Sequence, residues 1–177
     1  MLRTVVTRGR ANPRHQTFSK RLRGARKTAG MHAAGLTLAA GIGAGMVALW
    51  ESGRGLPRLP TTEKLARALR VSPGWLAYGL GDAAEPLGSR MLCEGLAARA
   101  REVRTLRGLS MREVARRAEL TEGAVRSTEQ GRQPGIDTLE QLAQALGVSP
   151  SWLAFGEGPI ELPRRRARLS EQRPVRT

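Results

Sequence analysis

The chain has 177 residues, 30 Lys and Arg against 15 Asp and Glu, a formal charge of +15 and only 3% aromatic residues. Scarce aromatics and apolar positions that are mostly Leu, Ala and Val point to an all-α protein, and a charge this large makes a polyanion, nucleic acid first, the default partner. One cysteine, Cys93, leaves no intrachain disulfide and suits a reducing, cytoplasmic setting as a buried small residue; His15 and His32 lack ligand-spaced neighbours, and no catalytic triad, phosphate loop or carboxylate pair stands out, so no enzyme, cofactor or metal is expected.

The sequence repeats itself, and the repeat sets the domains. Leu65 to Gly79 (LARALRVSPGWLAYG) returns 77 residues later as Leu142 to Gly156 (LAQALGVSPSWLAFG). A shift of 78 aligns the upstream parts, pairing Arg26, Gly30, Val47, Glu51 and Arg54 with Arg104, Gly108, Val125, Glu129 and Arg132. Residues 59–79 match at 13 of 21 positions but 18–54 at only 10 of 37, so the middle of one copy has drifted.

In chain order, residues 1–17 combine Arg, Pro and Thr with few large apolar side chains and read as a flexible basic arm. Residues 18–82 form the first domain, with a charge of +7. Its stretch 28–50 is uncharged behind a basic flank, which meets the length rule for a membrane span and opens the alternative of a membrane-anchored regulator. Ala and Gly dominate it, however, and its register still follows the second copy, so a degenerate copy of the same fold is the expectation. Residues 83–90 read as a linker.

The second domain, 91–158, is neutral overall and resolves into five helices. Leu96, Ala100, Val103 and Leu106 give the first an apolar stripe, stopped near Gly108. Ser110 opens the second through the Ser-x-x-Glu capping box, with Val114, Ala115 and Ala118 inward. Thr121 caps the third, 122–130, which buries Ala124, Val125 and Thr128 before Gly131. The fourth covers 138–146, and Ser149 caps a fifth containing Trp152 and Leu153; Trp152 and Phe155 complete the core. Glu129 lies 25 residues after Arg104, a spacing repeated by Arg26 and Glu51, so each domain is expected to carry an ion pair between its first and third helices. Residues 159–177 form a second flexible basic tail.

Two short helices joined at Glu119-Leu120-Thr121 make a helix-turn-helix. Together Ser110-Met-Arg-Glu-Val-Ala, Leu120-Thr-Glu-Gly-Ala-Val-Arg-Ser-Thr-Glu-Gln-Gly-Arg, Pro134, Leu139 to Leu146 and Val148-Ser-Pro-Ser-Trp-Leu resemble the lambda-repressor and Cro (XRE) type of DNA-binding domain. The resemblance implies two tandem five-helix domains whose third helix enters the major groove of double-stranded DNA. It makes Thr121, Glu122, Gly123 and Arg126 the base readers, Arg126 toward guanine and Glu122 toward cytosine. It makes Ser110, Met111, Arg112 and Arg132 the phosphate contacts.

Where the second copy has Arg112, Glu113, Arg116, Arg117, Glu119, Thr121, Glu122, Arg126, Ser127 and Thr128, the first has Ala34, Gly35, Leu38, Ala39, Gly41, Gly43, Ala44, Ala48, Leu49 and Trp50. Its former reading face is apolar, and Leu38, Leu49 and Trp50 become candidates for protein contact, against the second copy or in a homodimer. The reading is a DNA-binding transcription regulator, a repressor, with specificity in the second copy. The alternative is a protein-interaction module of antitoxin or anti-repressor type.

Overall fold

A computed structural model describes residues 13–84 and 92–161, with side chains from residue 17 onward. Most of both basic arms and most of the linker lie outside the described residues. The first copy comprises α1 (Pro13–Thr28), α2 (Ala33–Ala39), α3 (Met46–Glu51), α4 (Leu59–Leu69) and α5 (Pro73–Tyr78). The second opens with a 3-10 turn, Leu92–Gly95, and continues with α6 (Leu96–Leu106), α7 (Met111–Ala118), α8 (Glu122–Glu129), α9 (Ile136–Leu146) and α10 (Pro150–Phe155). The protein is all-α, and the described residues contain no strand beyond one isolated bridge between Arg58 and Gly135. The stretch 28–50 is divided among the end of α1, α2 and α3, and no described helix is long and apolar enough to cross a membrane.

α1 begins at Pro13, five residues before the predicted domain start, so the helix takes in the end of the expected arm. α9 likewise begins at Ile136 rather than Thr138, because Ile136 is itself a buried core residue. Leu96, Ala100 and Val103 are buried, but Leu106 is 79% exposed. At 100° per residue, Leu106 has turned about 80° away from Leu96, off the stripe. Ser149 stands at the N-cap of α10 but accepts no capping bond, whereas Ser72 at the start of α5 accepts from the Trp75 amide at 3.1 Å. Trp152 is partly buried and Phe155 buried.

The two copies share one scaffold almost bond for bond. Arg26 donates to both Glu51 carboxylate oxygens at 2.6 and 2.9 Å and to the Met31 carbonyl at 2.8 Å. Arg104 repeats this with Glu129 at 2.6 and 2.8 Å and with the Leu109 carbonyl at 3.1 Å. Arg21 ties α1 to the carbonyls of Leu76 and Ala77, as Arg99 ties α6 to those of Leu153 and Ala154. Glu51 and Glu129 are both buried, so each pair fixes the angle between the first and third helices of its copy.

Equivalent elements also meet across the copies. α5 packs on α10, and a Cβ at Gly74 would run into Ser151, its counterpart in the repeat. The Leu59 amide donates to the Pro134 carbonyl at 3.2 Å and the Ile136 amide to the Pro57 carbonyl at 3.3 Å, closing the bridge. Glu63, on α4, is fully buried and accepts from the amides of Leu92 (2.7 Å) and Cys93 (3.1 Å) at the start of the second copy. Glu157 answers from the other side, accepting from the Ser72 hydroxyl at 2.8 Å and the Gly74 amide at 2.9 Å. Buried apolar residues of both copies form one continuous cluster. Cys93 is part of it, and burial, with Glu63 alongside, pushes its thiol up to about 12, so it stays protonated across ordinary pH.

Candidate nucleic-acid interface

In the second copy the two central helices are fixed by their caps. The Ser110 hydroxyl accepts from the Glu113 amide at 3.1 Å, and Thr121 accepts from the Ala124 amide at 3.2 Å, each contributing about 1 kcal/mol in such positions. Between them Glu119 takes a left-handed backbone (φ +56°) and the Leu120 amide returns to the Ala115 carbonyl at 2.9 Å, turning the chain sharply from α7 into α8. Val125, Thr128 and Glu129 face inward, which leaves Thr121, Glu122, Gly123 and Arg126 exposed on the outer face.

That face is charged and organised. The Arg126 guanidinium donates to the Glu122 carboxylate one turn earlier at 2.8 Å. On α7, Arg116 and Arg117 both donate to Glu113 and hold its carboxyl down to about 2. Arg112 and Arg132 are exposed and make no ion pair among the described residues. Ser110 is exposed at the start of α7, while Met111 is partly buried with its side chain packed against the core.

The same geometry in the first copy carries a different surface. Neither His32 before α2 nor Gly45 before α3 makes a side-chain cap, and α3 starts two residues later than α8 in register and is correspondingly shorter. Leu38 is 84% exposed and Leu49 38% exposed, surrounded by exposed Gly41, Gly43 and Ala44. Trp50 does not belong to this face: with Val47 it forms the inward side of α3 and is 4% exposed, as is its counterpart Thr128. The exposure of Leu38 also shows that this face does not pack on the second copy; α5, α10 and the 58–135 bridge make that contact instead.

A helix-turn-helix family model matches residues 22–76 and again 101–153, together more than half of the chain. The chain belongs to the helix-turn-helix family. Each match contains the Arg–Glu pair between the first and third helices of its copy, and the family, of the XRE type, is one of DNA-binding transcription regulators. No curated protein and no solved structure matches the chain.

Beside α8 of this helix-turn-helix protein lies a cleft of about 450 Å³ that the repeat alone did not disclose. Thr121, Gly123 and Ser127 of α8 form one wall; Arg132 and Thr138 follow it, and Arg58 enters from the first copy. From the sequence alone Arg58 is one of seven basic residues of the first copy able to contact phosphates, with Lys20, Arg21, Arg23, Arg26, Lys27 and Arg54, and neither Ser127 nor Thr138 is marked as a site residue. The alignment pairs Arg58 with Gly135 by sequence position, and nothing in that pairing announces that the two meet in space.

Proposed function

We propose that the chain is a transcription repressor that binds double-stranded DNA as a single-chain pseudo-dimer with one reading head. α8 lies in the major groove, where Arg126 pairs with guanine O6 and N7 and Glu122 accepts from cytosine N4. Thr121 and Gly123 let the start of the helix approach closely. Ser110, the Met111 amide, Arg112 and Arg132 hold phosphates on either side. The observation that carries this reading is the contrast between the heads: capped, exposed and polar in α8, uncapped and apolar in α3. Opening the exposed Glu122–Arg126 pair to reach bases costs about 0.5 kcal/mol, since such a surface pair contributes little.

Selection of random duplex DNA by the full chain at low and near-physiological salt tests this. The expected outcome is an enriched, asymmetric motif, one specified half-site rather than a palindrome, that persists as salt rises. Binding that shows no enrichment and disappears with salt would overturn it.

The exposure of Leu38 and Leu49 supports a second role for the first copy as a protein-contact face, most simply in a homodimer. Leu38→Glu should then lower the mass measured in solution without changing the melting temperature. A wild-type chain that is already monomeric at high concentration removes this role.

A further inference from the structure

Resting on the DNA-binding reading, we infer that Arg58 completes a phosphate site on the second copy's reading head, so that the copy without a reading surface acts on DNA by lending a side chain to its neighbour. Arg58 stands at the N-cap of α4 in extended backbone (φ −77°, ψ 162°), and the antiparallel bridge to Gly135 fixes that backbone against the second copy. The bridge is bonded on both sides through main-chain atoms of Pro57, Leu59, Pro134 and Ile136, which leaves the Arg58 side chain uncommitted. It lines a cleft that Arg132, Thr121, Ser127 and Thr138 also line.

Three features give this cleft the chemistry of a phosphodiester. No carboxylate lines it, and neither Arg58 nor Arg132 has an ion-pair partner among the described residues, whereas Arg116, Arg117 and Arg126 nearby are each held by a glutamate. Two unneutralised guanidinium groups facing one cleft repel each other until an anion sits between them, and a phosphate accepts from both while the Thr121 and Thr138 hydroxyls donate to its oxygens, the Ser127 hydroxyl being already given to the Ala124 carbonyl at 3.1 Å. Its wall is α8 itself, so a phosphate held here belongs to the backbone flanking the bases that Arg126 reads.

The bridge also makes the arrangement one-sided. The residue facing Arg58 across it is Gly135, which has no side chain to lend to the first copy's head. The contact between copies therefore strengthens only the head that reads.

The test compares full-length wild type with Arg58→Gln, Arg54→Gln and Arg126→Ala on the selected duplex across a salt series. Arg54 is the first-copy counterpart of Arg132 and serves as the control for general basicity. Loss of one phosphate contact should reduce the slope of log K against log salt by about 0.9 and weaken binding about fivefold at 0.15 M salt. Arg58→Gln is expected to do this without altering the selected motif or the melting temperature, Arg54→Gln to change neither slope nor motif, and Arg58→Lys to restore the slope. Equal losses from Arg58→Gln and Arg54→Gln, or none from Arg58→Gln, overturn the inference while leaving the regulator reading intact. Failure of the wild type to select any motif, with Arg126→Ala indistinguishable from it, overturns both.

Discussion

The first and second copies keep the same skeleton and differ in what they show to solvent. Arg21, Arg26 and Glu51 repeat the bonds of Arg99, Arg104 and Glu129 nearly atom for atom, yet Leu38, Ala48 and Leu49 stand where Arg116, Arg126 and Ser127 stand. The lesson is that the fold is held by contacts on the inner faces of the helices, and the outer face can be rewritten without disturbing them. What the first copy lost was capping and charge, which explains the shorter α3; what it kept was the surface that meets its twin.

The sharpest way to break the comparison is to remove the shared ion pair in one copy at a time. Arg104→Ala leaves Glu129 buried without its main partner, and Arg26→Ala does the same to Glu51; each should cost about 3 to 5 kcal/mol in chemical denaturation. Equal losses would show that both copies depend equally on this scaffold, and a loss confined to one would show that the likeness is only geometric. Next is the seam between copies. Gly74→Val forces side-chain atoms into Ser151 and Glu157 and should destabilise by about 3 kcal/mol, with one unfolding transition separating into two. A single unshifted transition would mean that α5 and α10 do not couple the copies.

Arg126→Ala addresses the reading faces and should reduce discrimination at one base pair by about 2 kcal/mol, measured by competition between single-base variants of the selected duplex. Ala48→Leu, at the equivalent first-copy position, should leave that discrimination untouched. The smallest effect sits at Tyr78, whose hydroxyl is buried without a hydrogen-bond partner among the described residues, while the second copy has Phe155 in its place. Burial raises its phenol well above the ordinary value. Tyr78→Phe should stabilise the chain by up to about 1 kcal/mol in thermal melts, because it removes an unsatisfied polar group; destabilisation would mean that the hydroxyl finds a partner in solution.

Much of this was legible in the sequence because local signals agreed. Ser110 and Thr121 announced helix starts, the 25-residue spacing of Arg and Glu announced the ion pairs, and the repeat announced two copies. Trp50 falls on the apolar outer face only if its counterpart Thr128 is counted with the reading face, although the helical pattern of the second copy already turns Thr128 inward; both lie one turn from a buried valine on the inward side of their helix. Leu106 was assigned to the core by an i+3 pattern that slowly rotates off a helical stripe. The seam between copies left no comparable trace. Glu63, Gly74 and Arg58 carry no periodicity that distinguishes a residue facing water from one facing a twin, and only the meeting of 58 with 135 in space brings out the cleft beside α8.

The packing of α5 on α10 occurs within one polypeptide, and this changes how occupancy of a DNA site scales with supply. A regulator assembled from two separate chains responds to the square of its abundance while dilute, with a threshold below which it is inert. Here the second half is supplied by the same thread at a fixed effective concentration. In the proposed single-chain reading, occupancy therefore rises in simple proportion to the number of chains, a graded dial in place of a switch, and only the proposed homodimer through Leu38 and Leu49 would restore a threshold.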